Sequence, residues 1–146
     1  MFEKEYIDRV SAWRRFRETV NQSENPLSEV LSKYNSIPTD KLTVDPYDQN
    51  SWPGPWELLT YKSYCEFAKL LGVAYTLQLT ERFSQDHFGI HIYTDYESSQ
   101  IRYFLSINEI YVHLDDDILL ASEKPLFVNA TENHFILDNK IGRAHV

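Results

Sequence analysis

The sequence predicts an α+β domain, with two or three N-terminal helices packed on one face of an antiparallel β-meander. Three observations predict it. Apolar residues recur at three- and four-residue steps in separate stretches before Gly72, which is the helix period. A period of two sets in at Val73, as on a strand with one buried face. The alternating runs that follow are joined by short polar turns, which suit antiparallel neighbours. A length of 146 residues fits a single domain.

The first helix is expected over residues 2–20, where Phe2, Tyr6, Val10, Trp13, Phe16 and Val20 make a wide aromatic stripe. A second is expected over 26–34. Asn25 is a good N-cap, Pro26 suits the first helical position, and Leu27, Val30, Leu31 and Tyr34 form its apolar face. Residues 36–54 read as a long irregular connection, rich in turn chemistry and ending in Trp-Pro-Gly-Pro-Trp. Pro55 opens the third helical stretch. One continuous helix to Leu71 would align Leu58, Tyr61, Cys65, Ala68 and Leu71. The alternative is a short turn near Thr60 and a new helix after Ser63, since Ser63 and Glu66 have capping-box spacing. The unbroken apolar face favours the continuous helix, closed by Gly72.

Strands are then expected over 73–83, 87–94, 101–107 and 110–114. Asp95 to Ser99 makes one hairpin connection and Asn108-Glu109 a tight turn. Weaker strand signals lie at 126–128 and 134–137, joined by a polar turn from Asn129 to Asn133.

Composition narrows the function classes. The formal net charge of −8 repels phosphate backbones, so nucleic acid is a disfavoured partner. The arginines at 9, 14, 15 and 17 are diluted by neighbouring acids and read as a solvated helix face. Ten Tyr, eight Phe and three Trp against one Met point to an aromatic core on pleated strands. The single cysteine excludes an internal disulfide and suits a reducing compartment. No apolar run approaches the ~20 residues of a membrane span, and Met-Phe-Glu-Lys-Glu-Tyr lacks the apolar core of a signal peptide. Neither a membrane nor secretion is expected.

Two chemical readings compete with structural ones. Cys65 on a helix, His87 and His91 on a later strand and Asn108 in the next turn follow the chain order of transglutaminase-like folds, with thiolate, base and orienting group. The entry to Cys65 has no Gly-rich segment, and a mid-helix cysteine loses the N-terminal dipole that favours a thiolate. Unpaired cysteines are also among the most buried residues, so the structural reading is favoured. His87 and His91 stand roughly 13 Å apart on one strand face, too far to share a metal. His91 could instead meet His113 across the meander. The sequence has no metal-ligand motif and no phosphate-binding glycine motif, so neither a metal nor any other cofactor is expected. Trp13, Trp52 and Trp56 are candidate partner contacts, because Trp anchors interfaces. Tyr75, Trp56 and Tyr103 could line a small-ligand pocket between helices and sheet.

Two segments carry a resemblance. One is Glu-Tyr-Ile-Asp-Arg-Val-Ser-Ala-Trp-Arg-Arg-Phe-Arg-Glu, near the N-terminus. The other is Asp-Pro-Tyr-Asp-Gln-Asn-Ser-Trp-Pro-Gly-Pro-Trp-Glu-Leu-Leu, running on into Tyr-Cys-Glu-Phe-Ala-Lys-Leu-Leu-Gly. Over about the first 110 residues the chain resembles small uncharacterised proteins of contractile-tailed marine cyanophages. The resemblance implies a place in the cytoplasm of an infected bacterial host or in the virion. It brings no activity and no site residue.

The expectation is therefore a non-catalytic, phage-type protein that works through protein–protein contacts in assembly or as an infection-stage accessory. Its partner would be another protein or a further copy of itself. The alternative is a cysteine hydrolase or transglutaminase-like enzyme using Cys65, His91 and Asn108.

Overall fold

The computed structural model describes residues 5–114 and 130–138. Four α-helices precede a four-stranded antiparallel sheet. They are α1 (Tyr6–Gln22), α2 (Pro26–Asn35), α3 (Pro55–Leu58) and α4 (Glu66–Gln78). The strands are β1 (Phe88–Asp95), β2 (Ile101–Ile107), β3 (Ile110–Val112) and β4 (Ala130–Leu137), in the order β3-β2-β1-β4. β1 to β3 form the expected meander, and β4 returns to pair with the other side of β1. Helices packed on this sheet make the α+β class that the sequence predicts. Among the described residues no helix is long and apolar enough to cross a membrane.

The third helical stretch corrects the favoured reading. It is two helices, because local side-chain bonds end the first after one turn. The Thr60 hydroxyl donates to the Glu57 carbonyl at 2.6 Å, and the buried Tyr64 hydroxyl to the Leu58 carbonyl at 2.9 Å. Such bonds offer the backbone an exit from the helix. The chain then runs extended, bridging Tyr64 to Thr39 in parallel. Cys65, not Ser63, is the N-cap of α4. The Ser63 hydroxyl bonds instead to Asp40, one cause of that carboxyl's lowered pKa.

The strand expected over 73–83 is also overturned. α4 passes through Gly72 to Gln78, and a short 3-10 turn follows at Glu81–Phe83. Every α4 residue except Glu66 is buried. A helix covered on all sides has no polar stripe, so its 3.6 period disappears. The polar residues that mimicked alternation are satisfied inside. Thr76 Oγ1 donates to the Gly72 carbonyl at 2.7 Å and accepts from Trp13 Nε1 at 2.9 Å. Gln78 Nε2 donates to the Leu137 carbonyl at 2.9 Å. Gly72 is where α2 crosses: a Cβ there would lie 2.3 Å from Tyr34 Cε1. It marks a close approach between helices and does not stop α4.

Boundaries elsewhere differ less. α1 extends to Gln22, and positions 2–4 of the expected helix lie outside the described residues. β3 ends at Val112, short of 114. The strand expected at 126–128 lies outside the described residues. The turn expected from Asn129 to Asn133 does not hold over its described part, since residues 130–133 belong to β4. Their pairing with β1 overrides a polar sequence.

The core lies between the sheet and α4. Phe88, Ile90 and Ile92 of β1 join Tyr103, Leu105 and Ile107 of β2 under Phe67, Leu70, Leu71 and Leu77. Trp13, Val20, Val30 and Tyr34 close the other side of α4.

Candidate functional site

Residues that alternate with the core-facing ones lie on the outer face of the sheet. His91 of β1 stands opposite His134 of β4, Gly89 opposite Ser106 of β2, and Tyr93 opposite Glu132 of β4. The register therefore gathers three polar side chains, Ser106, His134 and His91, around one glycine. A Cβ on Gly89 would sit 2.7 Å from Ser106 Oγ and 3.1 Å from His134 Nε2. The missing side chain makes their room.

The cluster has a defined order. His91 Nε2 and Ser106 Oγ are 2.9 Å apart, and His91 Nδ1 lies 3.5 Å from Glu132 Oε2. The His134 ring stacks on His91 at 4.3 Å and 10°. His91 and Ser106 are buried, whereas His134 is exposed. Burial raises the pKa of the Tyr93 phenol, and a hydrogen bond to Glu132 raises it further. Hydroxyl, imidazole and carboxylate in this sequence are the parts of a nucleophilic relay. β2 lies between β1 and β3, so the amides beside Ser106 belong to the ladders. Its own strand thus supplies no oxyanion hole. Sequence reading found His91 but missed Ser106 and Glu132, which come from strands far apart in the chain. His113 packs on Phe104, with ring centroids 4.8 Å apart, and not on His91. Among the described residues no group of three His, Cys, Asp or Glu could hold a metal ion.

Cys65, His91 and Asn108 are not brought together. Cys65 belongs to the core on the helix side, and His91 projects from the opposite face. Burial pushes the Cys65 thiol up, but hydrogen bonds from Thr43, Ala68 and Val44 outweigh it and leave the pKa lowered. Cys65 Sγ accepts from Ala68 N at 3.4 Å and from Thr43 Oγ1 at 3.5 Å. Those are the bonds of a cap. Asn108 adopts φ 55° in the turn between β2 and β3. Its Oδ1 accepts from the His87 amide at 2.9 Å, and its own amide donates to the His87 carbonyl at 2.7 Å. It pins the start of β1 and orients no imidazole.

The three tryptophans pack inward. Trp13 is 1% exposed and meets Trp56 edge to face at 5.1 Å. Trp52 is held by Nε1 donating to the Asp45 carbonyl at 2.9 Å, between Phe67 and Phe135. Trp52 and Trp56 are half-buried. Trp13 is thereby corrected from a partner contact to internal packing, whereas Trp52 and Trp56 each keep an accessible side at a cleft. Of the residues expected around a ligand pocket, Tyr75 borders a cleft beside β4 and Trp56 a separate one beside α1. Tyr75 OH donates to the Pro53 carbonyl at 2.6 Å, and Tyr103 packs on Phe67.

β4 forms one edge of the sheet among the described residues. The Asp95 amide bonds the Gln100 carbonyl, and the Asn108 amide bonds the His87 carbonyl. Odd-numbered residues of β1 therefore bond to β2, and even-numbered ones to β4. By the register, Asn133 and Phe135 bond inward to β1, while the backbone groups of His134 and Ile136 point to the open edge. Gln49 Nε2 donates to the Ile136 carbonyl at 2.8 Å, where a partner strand's amide would come. A cleft of about 650 Å³ runs beside this edge, walled by Gln49, Asn50, Trp52 and Tyr75. Ile136 is 68% exposed.

Comparison of the chain with protein-family models, with curated proteins and with solved structures gives no match.

Proposed function

We propose that this protein is non-catalytic and works by protein–protein contact, taking an extended strand of a partner onto the β4 edge. The setting is the infected bacterial cell or the virion that the sequence resemblance implies. The observation that carries the reading is the edge itself. Eight residues long, it contains no Pro, Lys or Arg and exposes Ile136. Such an edge is a template for pairing unless it is blunted, and strand addition is a common mode of recognition. The partner that the chain itself supplies is a second copy, paired β4 to β4 antiparallel.

Sedimentation equilibrium tests this. The native chain should self-associate with rising concentration, and Ile136→Pro should not. Proline there removes an outward amide and leaves the β1 ladder intact. A chain monomeric at every concentration, with no partner copurifying from infected cells that Ile136→Pro releases, would overturn the reading.

One observation favours an enzymatic alternative, the Ser106–His91–Glu132 order. A fluorophosphonate probe should label Ser106 if that order works as a relay. No difference in labelling between the native chain and Ser106→Ala would remove it.

A further inference from the structure

Among the described residues, Arg82 and Arg9 donate to backbone carbonyls and Arg17 does not. Arg82 Nη1 donates to the Val20, Asn21 and Ser23 carbonyls, at 2.6 Å for the last. Arg9 Nη1 donates to the Tyr61 carbonyl at 2.9 Å. Arg17 makes no hydrogen bond or ion pair among the described residues, and its Nε is buried without a partner. What holds it is aromatic. Its guanidinium lies 4.5 Å from the Trp13 ring centroid and 5.6 Å from that of Trp56.

Both indoles receive the cation over their ring faces. The N–H donors lie in the guanidinium plane, and none has a hydrogen-bond acceptor among the described residues. A buried donor left unmade is costly, so an acceptor brought to this guanidinium would be favourable. Burial, then the neighbouring Arg14, lowers the Arg17 pKa, as expected of a cation that lacks an adequate counter-charge. Arg17 borders a cleft of about 830 Å³ between α1, Trp56 and the turn after α4. Its other walls include Val10, Arg14, Leu79 and Glu81. Arg14 is exposed and pairs loosely with Glu18 at 3.7 Å, a contact of little energy. Glu81 faces the cleft from the far wall and keeps the site from being a general anion sink.

We infer that this cleft binds a carboxylate carried on an apolar body. The carboxylate accepts from the edge of Arg17 with Arg14 beside it, and the body lies against Trp56, Val10 and Leu79. A free organic acid and the C-terminus of a peptide share this chemistry. The site stands apart from the β4 edge and does not depend on it.

Benzoate and benzamide are a matched pair of probes, read by the Trp56 indole N–H in NMR titration of the full chain. Benzoate should shift it saturably, with affinity that falls as salt rises, and benzamide should not. Arg17→Gln should weaken benzoate at least tenfold. Should that variant unfold, Arg17→Lys keeps a cation over the rings but loses the planar fork, and should weaken binding several-fold. N-acetyl-Gly-Phe as free acid and as amide extends the test. Tighter binding of the peptide acid than of benzoate marks a peptide C-terminus as the ligand, and the reverse marks a free acid. Equal binding of benzoate and benzamide, or full affinity in either Arg17 variant, overturns the inference.

Discussion

The two faces of one sheet carry opposite chemistry from the same strands. Ile90 and Ile92 point to α4 and join a core of aliphatic and aromatic side chains. Their neighbours Gly89, His91 and Tyr93 point outward with Ser106, Glu132 and His134 in one polar cluster. The inner face is held by burial alone, which is non-directional and tolerates exchange of similar shapes. The outer cluster is held by directed bonds, so its members depend on one another. The inner face therefore supplies most of the stability. The outer face fixes the position of β4, and with it the edge proposed to meet a partner.

The largest expected effect breaks the inner face. Ile90→Ala removes buried aliphatic volume and should cost about 4 kcal/mol, read by denaturant unfolding. The outer face gives the next test. His91→Ala should cost about 2 kcal/mol, because Ser106 and Glu132 lose the imidazole between them. Combined with Ser106→Ala, it should cost less than the sum of the single changes. Strict additivity would mean that the cluster is not a network.

Alkaline pH tests the buried phenols. Tyr34 is fully buried, and desolvation raises its phenol from 10.0 to about 12. Its folded pKa is the higher, so the associated stability is complete below pH 10 and lost as pH rises through about 12. Roughly 1.4 kcal/mol should be gone by pH 11, at 1.36 kcal/mol per pH unit. Tyr34→Phe should remove that share of the slope, while the raised phenols of Tyr64, Tyr75, Tyr93 and Tyr103 keep the rest. The smallest effect is expected at the edge. Ile136→Lys changes an exposed side chain and should move stability by no more than about 0.5 kcal/mol, while blocking self-association.

The fold class was legible because amphipathic α2 kept a polar face, and a polar face preserves the period. α4 kept none, and its internal Thr76 and Gln78 imitated a strand. β4 was half hidden for the opposite reason. Thr131, Glu132 and Asn133 read as a turn, and only pairing with β1 makes them a strand. The site followed the same division. His91 drew attention as a residue type, but Ser106 and Glu132 have no local signal, since register alone places them beside it. Arg17 was set aside as part of a solvated helix face. Only the packing shows that its partners are two indole rings and not hydrogen-bond acceptors.

Amide hydrogen exchange along β4 tests the central claim most directly. In dilute protein the amides of Asn133 and Phe135 should be protected and those of His134 and Ile136 should exchange freely. Raising the concentration, or adding the partner, should slow the second pair. Equal protection of all four in the dilute monomer would show an edge already covered and would contradict the account.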